Sequence, residues 1–157
     1  MTIRSIGLNT PVFQGWLPDI MTEASKALNR GPAFYPPNMK WGNGLVNSLP
    51  GQGGTVAMLG HRTTRTHPFC LVGSLETGDL AVVKMRYGTF LYRLIAKPSR
   101  RGTDWSAFEH PARFDPHPRR WNKGIRPEYL VGGACDPPHY AGYRLNPIFK
   151  LVGIRAP

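Results

Sequence analysis

The chain has 157 residues, with 20 basic against 9 acidic side chains and a formal charge of +11. That length suits one domain, residues 1–157, with a core able to fold unaided, and 41% hydrophobic content excludes global disorder. No run reaches the roughly 18 apolar residues of a membrane helix, and Met1-Thr-Ile-Arg-Ser5 lacks the apolar stretch of a signal peptide.

In chain order, Ile3 to Val12 reads as two short strands with a turn between them. Ile20, Ala24, Ala27 and Leu28 share one face of a helix over about Pro18–Asn29, which Gly31-Pro32 ends. Residues 31–54 read as loop. Its Leu49-Pro-Gly-Gln-Gly53 run lacks the Gly-Lys-Ser/Thr ending of a phosphate loop and is a turn into the next strand. Thr55 to Gly60 is a strand delivering His61 to a polar loop, Arg62–Gly73, with one helical turn. Glu76–Asp79 is a turn. Leu80–Tyr87 and Thr89–Ala96 form a hairpin about Tyr87-Gly88. Lys97 to Pro127 is long, irregular and basic, with eight Lys/Arg interleaved with Trp105, Phe108, Phe114 and Trp121. Loops of that length in a compact domain are usually functional or mobile. Glu128–Ala134 is a strand leading to Cys135. Tyr143–Ile154 is the last strand, bent at Asn146-Pro147. High glycine (18) and proline (16) with little helical periodicity give an all-β, β-rich domain with one or two short helices.

Two cysteines, Cys70 and Cys135, make no disulfide framework. One bridge, one reactive and one buried thiol, or two inert thiols all fit. Cys135 stands out because it sits at a strand end before Asp136-Pro-Pro138, while His61 sits just past another strand. Arg144 follows on a strand able to lie beside the first. A thiolate is the nucleophile in such chemistry, and a neighbouring imidazole or guanidinium favours it. The imidazole then protonates a leaving amine, and a fixed guanidinium stabilises the oxyanion of acyl transfer. Taken singly, each residue also has a plain reading: a core thiol, a loop histidine and a solvated strand arginine.

Together these residues carry a resemblance. Gly53-Gly-Thr-Val-Ala-Met-Leu-Gly-His-Arg-Thr-Thr64, Leu75-Glu-Thr-Gly-Asp79 and Cys135-Asp-Pro-Pro-His-Tyr-Ala-Gly-Tyr-Arg-Leu145 resemble the sortases, most closely the class E/F type of high-GC Gram-positive bacteria. Ile6–Val12 and Gly31–Pro36 also fit, so the likeness covers nearly the whole chain. It implies a single closed eight-stranded β-barrel with Cys135, His61 and Arg144 at one end of a groove. Thr63, Ala134 and Asp136 are the expected substrate contacts. The implied activity is a cysteine transpeptidase acting at the Thr–Gly bond of a Leu-Pro-x-Thr-Gly or Leu-Ala-x-Thr-Gly sorting signal through a thioacyl enzyme. The implied acceptor is an amine of a peptidoglycan precursor or a pilin lysine, and the implied location is the outer face of the membrane or the cell surface. No cofactor is implied. No zinc site is read either, because Cys135, His139 and the other histidines form no closely spaced ligand pairs.

The run before the nucleophile departs from the family's Thr-Leu-x-Thr-Cys, reading Leu130-Val-Gly-Gly-Ala-Cys135 with Gly132 and Ala134 in place of larger groups. The basic segment about 97–127 is longer than the family leads one to expect, and the resemblance implies that this loop shapes the groove. Cys70 reads as a packed or idle thiol, with redox pairing to Cys135 the lesser alternative. The charge also suits an anionic envelope. Two other functions remain open at this point: a basic single-stranded nucleic-acid-binding module and a catalytically degenerate binding fold.

Overall fold

The computed structural model describes residues 1–14, 26–35, 47–118, 127–140 and 142–157. Its strands are β1 Thr2–Ile3, β2 Leu8–Asn9, β3 Phe13–Gln14, β4 Ala33–Phe34, β5 Gly54–Leu59, β6 Leu80–Met85, β7 Gly88–Ala96, β8 Ser99–Arg101, β9 Glu128–Asp136, β10 Tyr143–Leu145 and β11 Ile148–Arg155. They pair in the order β2-β1-β6-β7-β11-β9-β5-β4-β3, with β10 bridging β9 and β8 off that path. Ladders are antiparallel except β3 with β4 and β5 with β9.

The fold is β-rich with few short helices, as expected, but the closed eight-stranded barrel is not formed. The described sheet is an open half-barrel of eleven strands whose path ends at β2 and β3. These two edges are consecutive in the chain, joined by residues 10–12. Pro11 has no amide hydrogen, and the Thr10 amide is spent on the Met1 carbonyl at 3.0 Å. Two of the three linking residues therefore offer no N–H across the gap.

The last strand is not one strand with a bend but two. At Asn146-Pro147 the chain changes partners, β10 lying between β9 and β8, and β11 between β9 and β7. Gly132 on β9 lies at that handover. Its amide donates to the Pro147 carbonyl at 2.8 Å, and its carbonyl accepts from Asn146 Nδ2 at 3.0 Å. A Cβ there would stand 2.8 Å from Pro147 Cγ, so the glycine that departs from the family pattern is required by this junction.

Other expectations shift by small amounts. Met85 faces Gly88, so the β6–β7 turn is Arg86-Tyr87, one residue early. Residues 26–30 are helical, with Ala27 buried and its carbonyl accepting from Gly31 at 3.2 Å. The earlier part of the expected helix lies outside the described residues. Within the basic segment, 97–118 is ordered into β8, a helix Ser106–Glu109 and a 3₁₀ turn Pro111–Phe114. Apolar alternation had no purchase on these three- and four-residue elements.

Side chains alternate across the sheet, giving two cores. Val56 and Met58 of β5 and Leu130 and Ala134 of β9 join the larger one inside the half-barrel. Ala57, Tyr129 and Val131 pack on the opposite face with Ala107 and Phe108 of the helix, and Leu59 and Trp105 flank them.

Candidate active site

The parallel β5–β9 pair sets the site. Parallel strands end at the same edge of a sheet, so whatever follows β5 emerges beside the end of β9. The register pairs Leu59 with Gly133, and the Gly60 amide carries it on by donating to the Gly133 carbonyl at 3.1 Å. His61 and Cys135 each lie two residues beyond that Leu59–Gly133 pair. On the other side of β9, the antiparallel β10 puts Arg144 opposite Cys135 and, one strand further, opposite Arg100. Directly opposed residues point to the same face. Cys135 thus shares the face of Tyr129 and Val131, outside the half-barrel, together with Arg144. It lies within β9, one residue short of the strand's end, so its backbone is held by the β10 ladder.

Arg144 is held by the segment that follows β8. Its Nη2 donates to the Asp104 carbonyl at 3.1 Å, and its Cζ lies 3.7 Å from the Trp105 ring centroid and 5.8 Å from that of Phe108. Tyr35, beyond β4, stands edge-on to Trp105 at 6.2 Å. Burial lowers the Arg144 pKa, while Tyr35, Asp104 and Cys135 oppose that shift. An arginine remains charged through such a shift. Its Nε is buried and has no hydrogen-bond partner among the described residues.

A residue that sequence reasoning missed ties the two halves together. Arg62 Nη1 donates to the Cys135 carbonyl at 3.0 Å and pairs with Asp136 Oδ1 at 2.8 Å. Its side chain is 11% exposed. Gly73 leaves room for it, since a Cβ there would meet Arg62 Nη2 at 2.5 Å. The His-Arg doublet in the sequence was the only available signal, because the partner carboxylate lies 74 residues away.

Burial pushes the His61 pKa below its ordinary 6.5, and the Arg65 charge adds to that. Removing a positive neighbour favours the imidazolium, so Arg65→Gln is expected to raise the His61 pKa, more so at low ionic strength. An NMR titration of the ring protons, assigned with His61→Gln, checks this. A pKa that stays put or falls would leave burial as the whole cause.

The structure brings Cys135, Arg144 and the start of the His61 loop to one edge, with Thr63 half-buried in that loop. The expected substrate contacts Ala134 and Asp136 fare differently. Ala134 is 3% exposed and its methyl packs in the larger core, so only its backbone can face a peptide. Asp136 is engaged by Arg62. Cys70 is not packed but exposed, and both thiols are free.

The half-barrel thus brings a cysteine, an arginine and the start of a histidine loop to one edge of its sheet. The sortase-domain family model matches residues 1–148, and the chain belongs to the sortase family of transpeptidases. No curated protein matches the sequence. Among solved structures it is similar to sortase E from Streptomyces avermitilis, at 25% identity and TM-score 0.68, covering 99% of this chain and 87% of that one. Sortase E1 from Streptomyces coelicolor, solved with a tripeptide in its active site, gives 24% identity and TM-score 0.72 over 99% and 87%. The SrtF sortase from Corynebacterium diphtheriae shares the fold at 16% identity, with TM-score 0.74 over 99% and 84%. The resemblance to class E sortases read from the sequence is thereby met. No helix among the described residues is long and apolar enough to cross a membrane.

Proposed function

We propose that the chain acts as one catalytic domain, a cysteine transpeptidase that cleaves a Leu-Pro-x-Thr-Gly or Leu-Ala-x-Thr-Gly sorting signal between Thr and Gly. The Cys135 thiolate attacks the Thr carbonyl, forming a C–S bond and an oxyanion. Arg144, half-buried and opposite Cys135 on the β9–β10 ladder, donates to that oxygen from its guanidinium. The imidazolium of His61 gives its proton to the departing glycine amine as the C–N bond breaks, leaving a thioester. An acceptor amine, from a peptidoglycan precursor or a pilin lysine, then loses its proton to neutral His61 and displaces the thiolate. Burial and the Arg65 charge lower the His61 pKa, and both favour the neutral imidazole.

Thr63, in the half-buried loop beside His61, is the remaining side-chain candidate for substrate contact. Asp136 positions the Cys135 backbone through Arg62. By family, the site of action is the outer face of the cell membrane, where a chain of this charge meets an anionic envelope.

The observation that carries this reading is the register of β10 on β9, which sets Arg144 opposite Cys135. Intact-protein mass spectrometry under reducing conditions tests it, with either peptide present and a glycine amine added or withheld. The expected result is a peptide-sized adduct that the amine discharges and that Cys135→Ala abolishes. Folded parent protein with an alkylatable Cys135 and no adduct from either peptide would reject these signals and support a binding-only fold.

A further inference from the structure

The segment between β8 and the 3₁₀ turn builds a platform beside Cys135. Asp104 accepts at Oδ1 from the Ser106 amide at 2.9 Å, which starts the short helix and fixes the backbone on either side of Trp105. The indole is tilted against Phe108 at 5.4 Å and meets Tyr35 edge-on at 6.2 Å. Its face is turned to the Arg144 guanidinium, 3.7 Å from centroid to Cζ. The second anchor of that guanidinium is the carbonyl of the preceding residue, Asp104. One short stretch therefore supplies both a surface and a hydrogen bond to the same charged group. A guanidinium resting on a π face keeps its N–H donors directed around its own plane, and Cys135 stands on the neighbouring strand at the same level.

We propose that Trp105 is a positioning residue: its indole is the floor that holds the Arg144 guanidinium against Cys135, so the segment after β8 sets the strength of the site as well as the shape of the groove. The inference deepens the transpeptidase reading and rests on it for its role in turnover. The placement of positive charge beside the thiol is a claim of its own.

That separation gives the test. Cys135 is alkylated by iodoacetate and by iodoacetamide in the folded parent protein, and the ratio of the two rates is read by peptide mapping, with exposed Cys70 as internal reference. A fixed guanidinium favours the anionic reagent. Arg144→Gln sets the floor of the ratio. Trp105→Leu keeps apolar bulk without a π face, and Trp105→Phe restores a face. The expected result is a ratio that falls by about two- to thirtyfold in Trp105→Leu, the span of cation–π strengths, and that returns most of the way in Trp105→Phe. Turnover of the sorting peptide should fall in kcat with KM little changed. An unchanged ratio in Trp105→Leu, or a parent ratio no higher than that of Arg144→Gln, would overturn the proposal. No sorting peptide enters the alkylation arm, so a failure of the transpeptidase reading shows separately, as absent acyl adduct with the ratio intact.

Discussion

Arg144→Ala is expected to lower kcat/KM for the sorting peptide by about 10²–10³, the usual loss on removing one oxyanion donor. Two features direct the loss to the chemical step. Arg144 stands opposite Cys135 across an antiparallel ladder, where opposed Cβ atoms lie about 4.5–5.5 Å apart. Its guanidinium is fixed by Asp104 and Trp105, so little reorganisation precedes attack. The deficit should therefore appear in kcat and in the single-turnover rate of acylation, with KM nearly constant. Arg144→Lys keeps the charge but loses the planar fork and the fit to the indole, and is expected to recover little of the rate. Steady-state kinetics with thermal melts of each variant check this. Arg144→Ala within about threefold of the parent would remove the residue from the oxyanion role.

The sequence leads to the edge of the sheet where Cys135 and Arg144 meet because the strands before His61 and Cys135 are apolar and long enough to read, and because Arg144 follows Cys135 closely. What it concealed are contacts between residues far apart in the chain. Arg62 reaching Asp136 depends on the parallel β5–β9 ladder, and Trp105 beneath Arg144 depends on β8 pairing with β10. The β8–β10 pair leaves no periodic signal, since each strand is three residues long. The same shortness made 97–118 look irregular. Gly132 and Ala134 looked like defects in a motif. One is forced by the Pro147 ring, and the other is a core residue on the face away from Cys135. The family implies a closed barrel, whereas β2 and β3 remain separate ends of this sheet, with Pro11 and the spent Thr10 amide in the link between them.

The largest expected loss of stability falls on Asp115, which no motif marked. Tyr129 of β9 and Lys150 of β11 face each other across a ladder, and both reach its Oδ2, Lys150 at 2.6 Å and the Tyr129 hydroxyl at 2.9 Å. The His117 amide donates to Oδ1 at 2.9 Å, and Lys150 also donates to the His117 carbonyl at 2.6 Å. The carboxylate is 2% exposed and the lysine 14%. Removing one partner of a buried pair strands the other, at about 3–5 kcal/mol. In a protein of this size that is roughly 6–20 °C in Tm, and Asp115→Ala is expected to show it. Asp115→Asn, which keeps acceptors for Tyr129 and His117, should lose less. Burial pushes the Asp115 pKa up, but Lys150, the His117 amide and the Tyr129 hydroxyl outweigh it, so the folded pKa lies below the ordinary 3.8. A group depressed in the folded state contributes its stability above the unfolded pKa and loses it as pH falls through the folded one. The gap in Tm between the parent and Asp115→Asn should accordingly be full at neutral pH and shrink below about pH 4. A gap that is constant from pH 7 to 3 would exclude the ionised carboxylate as its source. The effect should also extend to the site. The turn that Asp115 anchors carries Phe114, over which Arg100 rests at 5.3 Å, and only His110 separates it from the helix Ser106–Glu109 that follows Trp105. Loosening this anchor frees one end of the platform under Arg144. Asp115→Ala assayed well below its melting temperature should therefore show reduced acylation out of proportion to its unfolded fraction.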